Sequence, residues 1–248
     1  LVGSEMCIRD SPNILTISNG ICGVLSIVFI TDYLDHSFPK EASYFIAFLL
    51  IFVACIFDFL DGFVARLTNS SSKIGLQLDS FSDLISFSIA PSFLMFDIMQ
   101  NSERFMSSVL EESSLIPYFS FLLIPFAMYR LARFNNGSSM INFQGLPTPA
   151  VGIFFMSLPF LQIELTYHFI IILIIVFSLL MVSSIKFYSF KIKLRDNRWF
   201  VSIFIMLNGI ALLGLIMTRV DLLSLFSISV IIYVCLLYTS PSPRDPKI

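Results

Sequence analysis

Four aspartates lie at the end of the second apolar run of the chain and the start of the third. Asp58 and Asp61 are three residues apart, and Asp79 and Asp83 are four residues apart, so each pair projects from one face of a helix. Two facing helices would bring four carboxylates together. Ionised groups in apolar surroundings are costly unless they are paired or bound to a cation. Oxygen-only ligands therefore predict a site for divalent cations, with Mg²⁺ or Mn²⁺ favoured where a substrate also brings phosphate oxygens.

Small residues accompany the aspartates. Gly62 and Ala65 lie on the predicted helix of the first pair, and Gly75 lies where the next helix begins. Small side chains in membrane helices commonly allow close helix packing. Next to four carboxylates and Arg66, they also indicate a pocket for a bulky ligand.

The elements that position these residues are predicted to be membrane helices. The chain has 248 residues, of which 56% are hydrophobic and 13% charged, and a soluble domain of this length could not bury so many apolar side chains. The formal net charge of -2 gives no basic field of the kind that binds nucleic acid. We therefore expect an integral membrane protein with no nucleic-acid partner.

Runs of mostly apolar residues predict about eight transmembrane helices, and hence an all-α polytopic bundle. The predicted spans are 14–34, 42–66, 75–97, 115–134, 147–165, 169–186, 199–218 and 222–237. Residues 12–238 are expected to form one catalytic domain. The terminal segments 1–11 and 235–248 resemble translated sequencing-adaptor sequence and are expected to be non-native.

The distribution of lysine and arginine predicts the orientation of the bundle. The loops after the second, fourth and sixth predicted spans would collect most of the basic residues on one side, namely Arg66, Lys73, Arg130, Arg133, Lys186, Lys191, Lys193, Arg195 and Arg198. The other side would keep only Lys40, Arg104 and Arg219. Because cytosolic loops are enriched in basic residues, the side that carries the aspartates is predicted to face the cytosol.

The aspartates and their neighbours form a longer pattern, D-x-x-D-G-x-x-A-R-x8-G-x-x-x-D-x-x-x-D, without a departure. This pattern resembles the signature of the CDP-alcohol phosphatidyltransferase family. The segment PNILTISNG of the first predicted span also resembles that family. The resemblance implies a helical core of six spans, a homodimer, and a reaction that exchanges the CMP of a CDP-activated lipid for an alcohol.

Carried over by position, the resemblance implies that two divalent cations are bound by Asp58, Asp61, Asp79 and Asp83. Asp83 would touch the second cation and act as the general base. The CDP group would be bound by Gly62, Ala65, Arg66, Gly75, Asn13 and Thr16. Asn19 is a further candidate contact to the nucleotide, although all three polar residues of the first span also suit helix capping or interhelical hydrogen bonds.

Three other segments predict the acceptor alcohol. RLARFN (130–135), FQGLPTPAVG (143–152) and MVSSIKFYSFK (181–191) resemble segments of the prokaryotic phosphatidylserine synthase branch of that family. The resemblance implies L-serine as acceptor, CDP-diacylglycerol as donor and the prokaryotic cytoplasmic membrane as location. Serine carries a carboxylate and an ammonium group, so its pocket needs a cation and neutral acceptors. The candidates are Arg130, Arg133, Asn135 and Gln144.

Two alternatives remain open at this point. The same chemistry could use glycerol 3-phosphate or inositol 1-phosphate, because the arginines that suit serine would also suit a phosphate. A cation-coupled transporter is a more remote alternative, since intramembrane aspartates also mark ion pathways. The clustering of all four acids near one membrane face disfavours it.

Overall fold

The structure, a computed structural model, describes residues 2–31, 39–68, 72–101, 115–136, 145–161, 166–183 and 228–229. Side chains are described from Asn13 onward within these ranges, except those of Arg66 and Lys73. All regular elements in the described ranges are helical. They are α1 (Val2–Ile30), α2 (Lys40–Leu67), α3 (Lys73–Leu84), a π-helical segment (Ile85–Ile89), α4 (Ala90–Gln100), a 3-10 helix (Ile116–Leu122), α5 (Leu123–Asn136), α6 (Thr148–Ser157), a second 3-10 helix (Leu158–Phe160) and α7 (Tyr167–Val182).

Three of these helices are long and apolar enough to cross a membrane: Asn13–Ile30 in α1, Lys40–Ala65 in α2, and Ile74–Gln100. The third span, Ile74–Gln100, comprises α3, the π-helical segment and α4. Large apolar side chains such as Ile17, Phe59 and Leu179 are exposed on the outer faces of the helices, as expected for a surface in contact with lipid. The all-helical class and the membrane character predicted from composition are therefore confirmed, whereas eight spans are not established.

The fifth and sixth predicted spans are shorter than expected in the described residues. They correspond to the apolar helices Thr148–Phe160 and Tyr167–Val182. The first of these tightens into a 3-10 turn at Leu158–Phe160, where Pro159 cannot donate a backbone hydrogen bond. The fourth predicted span also starts as a 3-10 helix, with Pro117 in its first turn. The seventh and eighth predicted spans lie outside the described residues, apart from residues 228–229.

The helices pack around α1 and the third span. Helix α1 contacts α2, α3, the π-helical segment and α4, while α6 contacts α2 and the π-helical segment, and α5 contacts α3 and α7. The core contains large buried side chains such as Phe48, Phe87, Leu94 and Phe154. Helix α1 thus packs against both α2 and the start of the third span, the two helices that carry the aspartates.

A π-helical segment interrupts the third span just after Asp83. The backbone N–H of Ala90 donates to the carbonyl of Ile85, five residues earlier, and Pro91 follows. Because proline has no N–H for the carbonyl of Phe87, an ordinary α-helical hydrogen bond is lost here, and the helix widens. The extra residue changes the face that α4 presents relative to the face that carries Asp79 and Asp83.

Candidate active site

Three aspartates converge where α2 ends and α3 begins. One carboxylate oxygen each from Asp58, Asp61 and Asp79 can be chosen so that all three lie within 4.8 Å of one another. Asp61 is 6% exposed, while its neighbour Phe59 on the outer face of α2 is 64% exposed. The helix therefore turns its acidic face toward α1 and α3 and its aromatic face toward lipid. The spacing predicted that both pairs of aspartates would converge, and these three of the four residues do so.

The geometry of this group fits a hard divalent cation. Carboxylate oxygens are the ligands that Mg²⁺ and Mn²⁺ prefer, and three of them at this spacing can reach a single ion. Three like charges in a partly buried space also repel one another, and a bound cation relieves that repulsion. The structure thus supports cation binding by Asp58, Asp61 and Asp79, without specifying the ion.

Asp83 lies beside this group but is not part of the set of mutually close ligand atoms. It is 8% exposed, and Asn19 Nδ2 donates a hydrogen bond of 3.2 Å to Asp83 Oδ1. The charges that act on it are the carboxylates of Asp58 and Asp79 and the guanidinium of Arg130. Asp83 therefore adjoins both the acidic group of α2 and α3 and the guanidinium of Arg130 on α5.

Helix α1 contributes polar side chains to this site along one face. Thr16 is buried and donates a hydrogen bond of 2.6 Å from Oγ1 to Asp61 Oδ2. Asn13 lies one turn earlier, close enough to α3 that a Cβ on Gly75 would stand 3.1 Å from Asn13 Oδ1. The spacing of three residues places Asn13, Thr16 and Asn19 on the same side of the helix. All three lie against the helices that carry the aspartates.

The remaining predicted nucleotide contacts lie on the last turns of α2 and the first turn of α3. Gly62 and Ala65 are half-buried in α2, and the backbone of Arg66 continues that helix. Gly75 lies in the first turn of α3, where its backbone N–H donates to the Oγ of the capping residue Ser72 at 2.9 Å. The orientation of the Arg66 side chain is outside the described part of the structure.

Helix α5 places two of the predicted acceptor residues near the third span. Arg130 Nη1 donates a hydrogen bond of 3.1 Å to Thr148 Oγ1 at the start of α6. Asn135 Nδ2 donates to Ser80 Oγ at 2.9 Å, next to Asp79 in the chain. Asn135 Oδ1 is buried and has no hydrogen-bond partner among the described residues. An acceptor atom is therefore available on this side of the aspartates.

Arg133, also predicted to bind the acceptor, binds the carboxyl end of α7 in this structure. Its Nη1 donates to the carbonyl of Val182 at 2.9 Å, and its Nη2 to that of Ser183 at 3.4 Å. A cation at a helix carboxyl end is stabilised by the exposed carbonyls and the helix dipole. Gly145 adopts a φ of 83° at the same junction, and a Cβ there would overlap the carbonyl of Met181. Gln144 lies outside the described residues.

Two features of the site were not apparent from the sequence. The contact of Asn19 with Asp83 is one, since the sequence suggested a nucleotide contact for that residue. The junction of Arg133, Gly145 and the end of α7 is the other. The spacing of Asn13, Thr16 and Asn19 signals a shared polar face, but it does not say which helix that face meets.

Comparison with known proteins identifies the family of this chain. The sequence model of the CDP-alcohol phosphatidyltransferase family matches residues 9–182 of this chain. The chain is 32% identical over 235 residues to the CDP-diacylglycerol–serine O-phosphatidyltransferase of Helicobacter pylori, covering 90% of this chain and 88% of that protein. It is 34% identical over 195 residues to the protein of the same name from Bacillus subtilis, covering 76% and 97%.

An archaeal relative shows comparable identity over a shorter stretch of the chain. The CDP-diacylglycerol–serine O-phosphatidyltransferase of Methanocaldococcus jannaschii is 34% identical over 169 residues, which cover 68% of this chain and 74% of that protein. The family match contains all four aspartates and every described helix from α2 to α7. The resemblance predicted from the aspartate pattern is thus confirmed, and the chain belongs to the CDP-alcohol phosphatidyltransferase family.

Proposed function

We propose that this protein transfers the phosphatidyl group of CDP-diacylglycerol to the hydroxyl of L-serine, giving phosphatidylserine and CMP in phospholipid biosynthesis. The observation that carries the proposal is the convergence of Asp58, Asp61 and Asp79 beside the buried Asp83. The names of the bacterial and archaeal relatives support serine as the acceptor. The proposal places the chain among the phosphatidyltransferases of phospholipid synthesis.

The aspartates would hold two divalent cations, Mg²⁺ or Mn²⁺. Asp58, Asp61 and Asp79 supply the ligands of the first, and Asp83 contributes to the second. When bound, such ions neutralise the diphosphate, stabilise the charge on the departing CMP and make the lipid-linked phosphorus more electrophilic. Thr16, which hydrogen-bonds Asp61, fixes the orientation of one ligand.

Asp83 would act as the general base. The hydroxyl of serine is a weak nucleophile at neutral pH, so a carboxylate that accepts its proton during attack accelerates the reaction. The new bond forms between the serine oxygen and the lipid-linked phosphorus, and the bond from that phosphorus to the CMP oxygen breaks. The proton passes to Asp83, and CMP leaves with the electron pair.

The nucleotide would lie along the face where α1, α2 and α3 meet. Gly62, Ala65 and Gly75 leave room for it beside the aspartates, and Arg66 supplies a cation for its phosphates. Asn13 and Thr16 lie on the adjoining face of α1, where their polar atoms can contact the CDP group. The closeness of Asn13 to Gly75 supports one shared pocket for these residues.

The acceptor would lie on the α5 side of Asp83. Arg130 acts electrostatically on Asp83, so a serine carboxylate bound there would hold the hydroxyl near the base. Asn135 Oδ1, buried without a donor among the described residues, can accept from the serine ammonium group. Arg133 would contribute by fixing the end of α7 next to this pocket, in addition to its predicted contact with serine, and Gln144 remains a predicted contact.

The membrane arrangement is proposed on the same grounds. We infer about eight spans with a core of six, an active site at the cytosolic face of a prokaryotic cytoplasmic membrane, and a homodimer. The three long apolar helices support the integral membrane location. The orientation follows from the distribution of basic residues in the sequence.

An acceptor assay tests the function directly. Purified protein in mixed detergent and lipid micelles receives CDP-diacylglycerol and Mn²⁺ with serine, glycerol 3-phosphate or inositol 1-phosphate, and CMP release and the lipid product are measured. We expect turnover with serine alone and no turnover after chelation. Turnover with a phosphorylated alcohol but not with serine would mean that this alcohol, and not serine, is the acceptor. Cation-driven solute uptake into liposomes without CMP release would identify a transporter instead.

The Asp83→Asn variant tests the base in the same assay. It keeps the size and most polar contacts of the side chain but cannot accept the proton, so we expect at least about a 10²-fold loss of kcat. Binding of CDP-diacylglycerol should remain largely intact. Turnover close to that of the unmodified protein would remove Asp83 from this role.

A further inference from the structure

Among the described residues, Asn19 donates the side-chain hydrogen bond that Asp83 accepts. The residue is 0% exposed, and its Nδ2 lies 3.2 Å from Asp83 Oδ1. A carboxylate accepts hydrogen bonds and does not donate them, so the NH₂ end of the amide must face Asp83. The contact therefore uses one of the lone pairs of Asp83 Oδ1 and leaves the other acceptor positions of the carboxylate for a cation and for the hydroxyl of the alcohol.

The backbone of Asn19 is also fixed. Its carbonyl accepts a hydrogen bond of 2.8 Å from Ser86 Oγ, in the π-helical segment that follows Asp83. One turn later, Gly23 brings α1 so close to Ser86 that an added Cβ would stand 2.8 Å from Ser86 Cα. Both ends of the interaction between Asn19 and Asp83 are thus held by the same helix contact. The side chain of Asn19 has little freedom to move away from the carboxylate.

The other end of the amide indicates that packing alone does not explain this residue. Asn19 Oδ1 is buried and accepts no hydrogen bond from any residue that the structure describes. A buried asparagine that served only to join two helices would be expected to satisfy both ends of its amide. In Asn19 only the NH₂ end has a hydrogen-bond partner among the described residues, and that partner is Asp83.

We propose that Asn19 is a positioning residue for Asp83, which it holds by one carboxylate oxygen so that the other faces the hydroxyl of the incoming alcohol. This inference rests on the proposed role of Asp83 as general base. It differs from the contact with the nucleotide expected from the sequence, because the polar partner of Asn19 is the base and not the group formed by Asp58, Asp61 and Asp79. A misdirected base lowers the rate of the chemical step while substrate binding is retained.

Two substitutions remove the amide donor in different ways. Asn19→Ala removes the whole side chain, whereas Asn19→Leu keeps a similar volume without a polar group. The control is Ser26→Ala in the same helix, which deletes another buried hydrogen bond, from Ser26 Oγ to the carbonyl of Ala47 at 3.1 Å. The full chain in mixed micelles is used throughout, and melting temperatures establish that each variant is folded.

We expect both Asn19 variants to lose about 10- to 100-fold in kcat. The KM values for serine and CDP-diacylglycerol, and the Mn²⁺ concentration for half-maximal rate, should change less than about threefold, because binding is not the step affected. Ser26→Ala should keep kcat within about threefold of the unmodified protein. A purely structural role would lower the melting temperature without separating kcat from KM.

Two results would overturn the inference. One is a kcat for both Asn19 variants that matches Ser26→Ala. The other is a raised KM for CDP-diacylglycerol with unchanged kcat, which would return Asn19 to the nucleotide pocket. Asp83→Asn, measured in parallel, separates this inference from the proposed function: if that variant is inactive while the Asn19 variants resemble the control, only the positioning role fails. If Asp83→Asn turns over normally, the base and its positioning residue are both rejected.

Discussion

Helix α2 and the third span carry acidic residues at both of their shared ends, and the two ends are built differently. At one end Asp97 accepts hydrogen bonds from Lys40, Tyr44 and Asn101, a group called here the Asp97 cluster. At the other end Asp58, Asp61 and Asp79 direct their carboxylates at one another, with Asp83 beside them, a group called here the aspartate site. The two antiparallel helices thus hold a single acid with a lysine at one end and bring several acids together at the other.

We interpret Asp97 as an acid that serves the fold, and the aspartate site as the site of the proposed ligands. Asp97 meets a cation at 3.0 Å and two further donors, so its contacts are made within the protein. Three carboxylates within 4.8 Å of one another repel one another, and a cation bound among them would relieve that repulsion. The aspartate site is therefore the end at which divalent cations and a diphosphate would act, and the Asp97 cluster holds the same helices in register.

The largest expected effect comes from making the same substitution, aspartate to asparagine, at each end and comparing the activities. Asp61→Asn removes a negative charge from the aspartate site while keeping the side-chain size, and we expect kcat/KM to fall by about 10²- to 10³-fold because a metal ligand is lost. The Mn²⁺ concentration needed for half-maximal rate should rise. The measurement is CMP release over a Mn²⁺ titration.

Asp97→Asn is the matched control for that substitution. It makes the same chemical change in the same pair of helices, at the end where no metal ion is proposed to bind. We therefore expect kcat/KM to stay within about threefold of the unmodified protein. Comparable losses of activity for the two variants would show that the difference between the ends has no functional meaning.

A second prediction concerns the close contact of α1 with the third span near the aspartate site. Gly23→Ala would place a Cβ 2.8 Å from Ser86 Cα, so backbone must shift, at a cost of about 1–3 kcal/mol in stability. We expect a lower melting temperature and a lower kcat, because Asn19 and Asp83 lie at the same contact.

Gly20→Ala provides the comparison within the same helix. Its added Cβ would meet Ser82 Oγ at 3.1 Å, which is a side-chain atom that can rotate away, so the melting temperature should change less. If the two glycine variants were equally stable and equally active, the close approach at Gly23 would not be a constraint on the site.

The smallest expected effect lies in the Asp97 cluster. Tyr44→Phe removes the hydroxyl that donates to Asp97, and because Lys40 and Asn101 still donate to that carboxylate, the loss should cost only about 0.5–1.5 kcal/mol. Thermal unfolding in detergent, followed by circular dichroism, measures the change, and kcat should stay close to that of the unmodified protein. A selective loss of kcat at unchanged stability would mean that this cluster takes part in the reaction.

Much of the aspartate site could be predicted from the sequence because the information is local. Spacings of three and four residues place Asp58 with Asp61 and Asp79 with Asp83 on helix faces, and a short connection makes the two helices neighbours. The cost of ionised groups in apolar surroundings then indicates a cation. The convergence of Asp58, Asp61 and Asp79 agrees with that reasoning.

The partners of individual side chains could not be predicted in the same way. The face shared by Asn13, Thr16 and Asn19 was visible in the spacing, yet Thr16 contacts Asp61 and Asn19 contacts Asp83. Arg133 was expected at the acceptor and is found at the end of α7. Such pairings depend on how far each helix is rotated and shifted, which is set by contacts between residues distant in the chain.

The sequence by itself determined the class of this protein, its family and the acidic residues at its site, because composition, helical periodicity and a fixed motif are properties of neighbouring residues. The tertiary structure decided the contact between Asn19 and Asp83, the close approach of Gly23 to Ser86, and the junction at the end of α7. Those features arise where α1, α5 and α7 meet other helices. Their geometry depends on close packing at glycines and on hydrogen bonds across many residues of intervening chain, which no local pattern specifies.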